Sequence, residues 1–148
     1  MTEKEILDQI QNLIASKKPK DLVLTETVRL LKESFPKYNW VGFYLMDGNE
    51  LALGPYLGKP TPHTRINLSS GICGAAAREE QTIIVSDVKA DPRYLACSLE
   101  TKSEIVVPIR KGERVVGEID IDADELDAFE EQDKNFLEEV SILLSPIF

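Results

Sequence analysis

Three acidic side chains alternate along one stretch of this chain. Glu118, Asp120 and Asp122 occupy every second position near the end of the segment 103–122. Successive side chains of a strand point to opposite faces, so this alternation puts the three acids on one face. The segment is rich in β-branched residues and predicts two paired strands joined by a tight turn at 111–113.

The partner of each acid depends on the length of the turn. We predict a three-residue loop, which puts Glu104 opposite Asp120 and Val106 opposite Glu118. A two-residue loop would instead place Ile105 beside the acids, because a slip of one residue exchanges the two faces of a strand. The predicted register therefore adds a further carboxyl to the acidic face.

A sheltered group formed by Glu104, Asp120 and Asp122 has a clear chemical consequence. Two like charges ~4 Å apart repel by ~4 kcal/mol at an effective dielectric constant of 20, which is worth roughly three pKa units. Either one carboxyl keeps a proton or a cation neutralises the group. The first outcome supplies a proton donor and the second a receptor for an ammonium group. The alternative is a solvated edge strand whose acids discourage aggregation.

Two cysteines are candidates for sulfur chemistry. Cys73 lies at the start of a predicted short helix of small residues, where a helix N-terminus favours the thiolate. The alternative for Cys73 is a small buried residue, since free cysteines are among the most buried residue types. Cys97 lies in a polar loop, and its only neighbouring cation is Arg93. A lone loop cysteine of this kind is commonly incidental.

An aromatic pair completes the candidate site. Trp40 and Tyr44 share one face of a strand predicted over 39–46. They predict a wall for a ligand that carries an ammonium or a soft sulfur group. The alternative is an aromatic pair of the core.

The rest of the chain predicts the elements that hold these residues. A capping box at Thr2 opens a first helix ending by Ser16, and Asp21 is predicted to cap a second helix that ends before Pro36. The remaining predictions are strands over 50–56, 65–68 and 82–85, a short helix from 71, a loop over 86–102 and a helix over 129–144. This order describes an α+β fold, with an antiparallel sheet carrying helices on one face and functional loops with a short helix on the other.

Composition limits the class of protein. The 148 residues predict a single domain over 1–148, and the net charge of −9 argues against nucleic acid and anionic membranes as partners. There is no signal peptide or apolar span, so we expect a cytoplasmic protein with free thiols. Zinc held by His63, Cys73, Cys97 and an acid fits common ligand types. These residues have no recognisable spacing, so the sequence predicts no metal and no cofactor.

Several motifs together resemble the free methionine-(R)-sulfoxide reductases, which have the GAF fold. They are NWVGFYL, LGPYLGKP, SGICGAA, the YLAC loop, SEIVVPI and GEIDID, in this order along the chain. The resemblance covers nearly all of the sequence after Pro36. It implies a GAF-like domain and an oxidoreductase that converts free L-methionine-(R)-sulfoxide to methionine.

The resemblance also implies roles for single residues. Cys97 in the YLAC loop would be the nucleophile that attacks the sulfoxide sulfur, and Cys73 would be a second redox cysteine that resolves the sulfenic acid. Thioredoxin would then reduce the disulfide. Glu104 would donate a proton to the leaving oxygen. The residues that would hold the substrate are Trp40, Tyr44, Glu104, Asp120 and Asp122.

Three positions depart from the family pattern. His63 lies ten positions before Cys73, where the family usually has a third cysteine. Tyr94 and Ser98 stand where the family has His and Asp around the Ala-Cys dipeptide.

These departures leave several alternatives open. Cys73 could resolve the sulfenic acid of Cys97 directly, or an external thiol could do so. The alternative function is a GAF module that binds a small amino acid without catalysis. A homodimer built on the outer helices is a further expectation.

Overall fold

The computed structural model describes residues 1–96 and 98–148. Cys97 lies outside the described residues, so the prediction that it is the nucleophile is not tested by the structure. Its neighbours Ala96 and Ser98 are described.

A six-stranded antiparallel sheet forms the centre of the molecule, as predicted. Its strands lie in the order β3-β2-β1-β6-β5-β4. The strands are β1 (Trp40–Asp47), β2 (Glu50–Leu57), β3 (Arg65–Asn67), β4 (Ile83–Val85), β5 (Ser103–Lys111) and β6 (Arg114–Ala123). β1 and β6 are central and adjacent, so the aromatic strand and the acidic strand lie side by side.

Four α-helices surround the sheet. They are α1 (Glu3–Ala15), α2 (Lys20–Ser34), α3 (Gly71–Glu79) and α4 (Glu131–Leu144). Short 3₁₀ turns cover Val88–Ala90 and Ser145–Ile147. No helix in the described part of the chain is both long and apolar enough to cross a bilayer.

The helix starts test the predicted caps. The capping box of α1 is present, with the Thr2 hydroxyl accepting a hydrogen bond from the Glu5 amide. The prediction that Asp21 caps α2 is wrong, because Pro19 occupies the N-cap and makes no side-chain cap. Asp21 lies in the first turn instead, where its charge still suits the positive end of the helix dipole.

Two hydrophobic clusters lie on opposite faces of the sheet. Helices α1, α2 and α4 pack on one face, where Val41 and Phe43 of β1 point inward. Trp40 and Tyr44 point to the other face and pack with α3. The period-2 alternation of β1 therefore sorts its side chains as predicted, with the chemistry-bearing face under α3.

The register of the β5–β6 hairpin differs from the prediction. Glu104 pairs with Asp122 and Val106 with Asp120, because the loop has only two residues, Gly112 and Glu113. A two-residue loop alone would have exchanged the faces. A bulge between Ile109 and Arg110 reverses that exchange, since an extra residue in β6 shifts the register by one more position. The acids therefore share one face, as expected, with different partners.

Candidate functional site

A buried group of carboxyls lies between the sheet and α3. Glu104 is 5% exposed, Asp120 and Asp122 are each 4% exposed, and Glu118 has no exposed surface. Glu104 and Asp122 are direct cross-strand partners, and Asp120 lies one pair further along the same face. The structure thus brings together the three acids that the sequence placed in the site, and it adds Glu118. We call these four residues the acid cluster.

Burial dominates the electrostatics of the acid cluster. It raises the pKa of Glu104 and of Asp122 well above the ordinary range, and the charge of Asp120 raises both pKa values further. It also raises the pKa of Asp120, although hydrogen bonds with Glu104 and Cys73 act in the opposite direction. The pKa of Glu118 is likewise well above its usual value because of burial. Burial and mutual repulsion therefore favour the protonated form of at least one carboxyl in the acid cluster.

Hydrogen bonding leaves much of the acid cluster unsatisfied. Among the described residues, neither carboxyl oxygen of Glu118 has a hydrogen-bond partner, and one oxygen each of Asp120 and Asp122 also lacks one. Buried polar atoms without partners carry a desolvation cost of about 1–3 kcal/mol each. An arrangement this costly is typical of a site that receives a ligand.

Cys73 touches the acid cluster from the first turn of α3. Its thiol donates a hydrogen bond to Asp120 Oδ2 at 3.4 Å, and the residue is 5% exposed. Burial raises the pKa of the Cys73 thiol well above its usual value, and the charges of Asp120, Glu118 and Glu104 raise it further. Of the two alternatives for Cys73, the small buried residue is confirmed, and burial outweighs the effect of the helix N-terminus on the pKa of the thiol.

Trp40 and Tyr44 form an aromatic wall, together with a residue that the sequence analysis missed. The Trp40 ring stacks on Tyr44 with centroids 6.4 Å apart and on Tyr56 with centroids 5.3 Å apart. Tyr56 pairs with Gly42, where an added Cβ would lie 2.5 Å from the Trp40 ring. The predicted β1–β2 hairpin was the signal that could have found Tyr56, since it brings the end of β2 beside the start of β1.

Two cavities flank this wall. One, of about 350 Å³, is lined by Asn39, Trp40, Gly58, Lys59, Pro60, Ser98, Thr101, Asp122 and Asp124. The other, of about 20 Å³, is lined by Tyr44, His63, Ile66, Gly71, Ile72, Cys73, Leu95, Glu104 and Asp120. The first is large enough for a small metabolite. Asp122 borders the larger cavity and Asp120 the smaller, so the acid cluster connects the two.

Contacts between two loops close the site. The His63 imidazole Nε2 lies 3.1 Å from the Ala96 carbonyl oxygen, and Lys59 pairs with Glu100 at 2.8 Å. Tyr44 donates a hydrogen bond to the His63 carbonyl at 2.8 Å. His63 therefore joins the aromatic wall to the loop that carries residue 97. The sequence singled out His63 only as a departure from a family pattern, and its neighbours depend on long-range packing.

Comparison with known proteins assigns the family. A GAF domain family model matches residues 20–146. The free methionine-R-sulfoxide reductase of Saccharomyces cerevisiae is 43% identical over 111 residues, which are 72% of this chain and 61% of the yeast protein. The enzyme of the same name from Escherichia coli is 33% identical over 124 residues, covering 84% of this chain and 74% of that protein. This chain belongs to the free methionine-R-sulfoxide reductase family.

A solved structure of the family shares the same architecture. The free methionine-R-sulfoxide reductase of Neisseria meningitidis, in complex with its substrate, superposes with a TM-score of 0.93 at 38% identity. The match covers 99% of this chain and 87% of that one. The GAF fold and the family resemblance expected from the sequence are both confirmed. The individual roles assigned to Cys73, Cys97 and the acids remain predictions.

Proposed function

We propose that this protein reduces free L-methionine-(R)-sulfoxide to methionine. The observation that carries the proposal is the buried acid cluster, which lies beside an aromatic wall and a thiol in a member of this reductase family. A free amino acid differs from a residue inside a peptide by its ammonium group. Asp120 and Asp122 would supply the negative charge that binds that ammonium, and Glu104 would contact it as a neutral carboxylic acid.

The larger cavity supports an entry route for the substrate. Its volume of about 350 Å³ suits a small amino acid, and it joins the Trp40 ring to the Asp122 carboxyl. An ammonium at Asp122 would leave the substrate side chain along the aromatic wall, where a sulfur atom packs favourably against ring edges. Ser98 lines this cavity and Leu95 lines the smaller one. The described residues near position 97 therefore border both.

The chemistry begins with the Cys97 thiolate. It attacks the sulfoxide sulfur, and a proton adds to the sulfoxide oxygen. The hydroxyl then transfers to the Cys97 sulfur as the bond between the two sulfurs breaks, which leaves a sulfenic acid on Cys97 and releases methionine. Glu104 is assigned to protonate the sulfoxide oxygen, since burial raises the pKa of Glu104 and favours its protonated form.

Cys73 is assigned the second step. Its thiol condenses with the sulfenic acid, which forms a disulfide and releases water, so that two thiols and one sulfoxide become one disulfide, methionine and water. Asp120 accepts a hydrogen bond from Cys73 and is the group positioned to take its proton. Thioredoxin would then reduce the disulfide, which requires a reducing compartment such as the cytoplasm.

The test uses racemic free methionine sulfoxide with dithiothreitol, followed by separation of the epimers. We expect loss of the R epimer only, no loss with Cys97→Ser, and no reduction of N-acetylmethionine sulfoxide, which lacks the ammonium. The matched variant Cys73→Ser should complete a single turnover and fail to recycle with thioredoxin. Full recycling in that variant would remove Cys73 as the resolving thiol.

Persistence of both epimers with the unmodified protein would contradict the reductase proposal. If calorimetry then detected binding of free methionine, the chain would be a GAF module that holds a small amino acid without reducing it. The same calorimetry on Asp122→Asn tells whether the acid cluster is the binding site in either case. Unchanged affinity in that variant would place the ligand elsewhere.

A further inference from the structure

The smaller cavity has the size and the donor atoms of a metal site. Its volume of about 20 Å³ exceeds the roughly 10–15 Å³ that a single water needs. One candidate ligand atom from each of Cys73, Glu104 and Asp120 lies within 4.8 Å of the others, and all three residues are buried. We propose that Cys73, Glu104, Asp120 and His63 bind a thiophilic divalent cation of the Zn²⁺ type.

The spacing of the donor atoms suits tetrahedral coordination. Bonds of about 2.3 Å to sulfur and about 2.1 Å to oxygen place tetrahedral ligand atoms about 3.4–3.6 Å apart. Cys73 Sγ already lies 3.4 Å from Asp120 Oδ2. The limit of 4.8 Å holds for Cys73, Glu104 and Asp120, so the remaining separations among these three need to shorten by roughly 1 Å. The His63 ring lies outside this group and has to move toward it to become the fourth ligand.

His63 has the tautomer of a metal-binding histidine. A carbonyl oxygen can only accept a hydrogen bond, so the contact between His63 Nε2 and the Ala96 carbonyl requires the proton to be on Nε2. The neutral ring then presents Nδ1 as a lone-pair donor. Histidine ligands in metal sites commonly fix their tautomer through such a carbonyl. His63 also lines the smaller cavity.

Unsatisfied acceptors around the cavity point to a cation. Asp120 Oδ1 has no hydrogen-bond partner among the described residues, and neither has the fully buried carboxyl of Glu118 nearby. The residues that line the smaller cavity include no Lys or Arg. Of the common cations, Ca²⁺ and Mg²⁺ prefer oxygen ligands alone, whereas a thiolate with an imidazole and carboxylates suits Zn²⁺.

This inference does not depend on the reductase proposal, because it rests on the cavity and its donors alone. The metal and the substrate ammonium would both bind to Glu104 and Asp120, so a bound metal would exclude the substrate. It would also hold the Cys73 thiolate away from any disulfide. The site would therefore make the protein sensitive to free zinc.

The test is a titration of the chelator-treated, fully reduced protein with Co²⁺, whose thiolate charge-transfer band in the near ultraviolet reports a cysteine ligand. We expect a saturable band that is lost in Cys73→Ser and kept in the matched variant Cys97→Ser. His63→Ala and Asp120→Asn should each weaken Co²⁺ binding roughly tenfold or more. None of these readouts requires turnover, so they stand whether or not the sulfoxide is reduced.

Thermal melts give a second measurement in case a variant folds poorly. Zinc at a hundredfold excess over its Kd should raise the Tm of the unmodified protein and of Cys97→Ser by roughly 5–10 °C, with reversal by EDTA. The inference is overturned if no band forms, if the band persists in Cys73→Ser, or if it is lost in Cys97→Ser. Unchanged binding in His63→Ala would overturn it as well.

Discussion

The protein buries carboxyl groups on both faces of its sheet and treats them in opposite ways. On the face of α1, α2 and α4, Asp133 accepts hydrogen bonds from the Lys37 ammonium at 2.8 Å, the Tyr38 hydroxyl at 2.7 Å and the Glu130 amide at 2.9 Å. On the face of α3, the acid cluster has no cation and several oxygens without partners among the described residues. One arrangement is complete and the other is open.

The difference appears in the direction of the pKa shifts. Partial burial acts to raise the pKa of Asp133, but the hydrogen bonds from Lys37, Glu130 and Tyr38 outweigh it and lower the pKa overall. Burial raises the pKa of Glu104 with no such compensation. Asp133 therefore stabilises the fold as a carboxylate, whereas the acid cluster costs stability and is suited to receive a proton or a cation.

The largest expected effect is on turnover. Glu104→Gln keeps the shape of the side chain and removes the acidic proton, so reduction of the R epimer should slow by roughly 10²–10⁴-fold in a single turnover. Asp133→Asn changes a buried acid by the same single atom and should leave that rate unchanged. Rapid-quench assays with free methionine sulfoxide give both rates. A Glu104→Gln protein with the original rate would remove Glu104 as the proton donor.

The next largest effect is on stability. Here substitution of Asp133 is expected to be harmful and substitution of Glu104 is not. Asp133→Asn should lower the free energy of unfolding by about 2 kcal/mol, because hydrogen bonds to a charged group are worth about 1.5–3 kcal/mol. Lys37 is 31% exposed and can turn to water, which limits the loss. Glu104→Gln should raise the free energy of unfolding, since it removes the cost at pH 7 of protonating or burying the Glu104 carboxyl on folding. Urea melts at pH 7 with a chelator present test both changes.

The pH dependence gives the same contrast with opposite signs. A carboxyl with a raised pKa holds its proton only when folded, so stability falls as pH rises from about 4 through that pKa, by about 1.4 kcal/mol per pH unit for each such group. Asp133 contributes stability above the pKa of an unfolded aspartate and loses it as pH falls through its lowered pKa. The fall of stability above pH 5 should be clearly shallower in a Glu104→Gln, Asp122→Asn double variant, in which only Glu118 and Asp120 keep raised pKa values. An unchanged slope in that variant would contradict the assignment.

The two regions also differ in how well the sequence predicted them. Alternation in β1 and β6 correctly gave the faces of Trp40, Tyr44 and the acids, because a period of two is a local property. The partners of the acids were wrong, since the register depends on a two-residue loop and a bulge near Ile109 that no pattern announced. The two one-residue deviations added to a shift of two positions, which leaves the acids on the same face.

The sequence left Cys73 with two alternatives, and an energetic comparison explains why the buried one holds. A helix N-terminus favours a thiolate by about 0.3–1 kcal/mol in exposed positions. Full burial shifts a pKa by up to 3–5 units, and one unit is worth about 1.4 kcal/mol, so desolvation outweighs the helix dipole several times over. The sequence gives the helix start but not the depth at which the thiol lies, nor the acids that α3 places beside it.

The smallest expected effects come from removing one tyrosine hydroxyl on each face of the sheet. The Tyr38 hydroxyl donates to the Asp133 carboxylate at 2.7 Å and the Tyr44 hydroxyl to the His63 carbonyl at 2.8 Å. Tyr38→Phe should cost about 1–2 kcal/mol of stability, because it removes a hydrogen bond to a charged acceptor. The Tyr38→Phe change should leave substrate affinity unchanged.

The Tyr44→Phe change releases the loop that carries His63. It should therefore weaken binding of free methionine more than it lowers the melting temperature. Calorimetry and thermal melts on the two variants measure both quantities. If Tyr38→Phe weakened binding as much as Tyr44→Phe, the two faces of the sheet would not act independently, since β1 lies between them and would be transmitting the change.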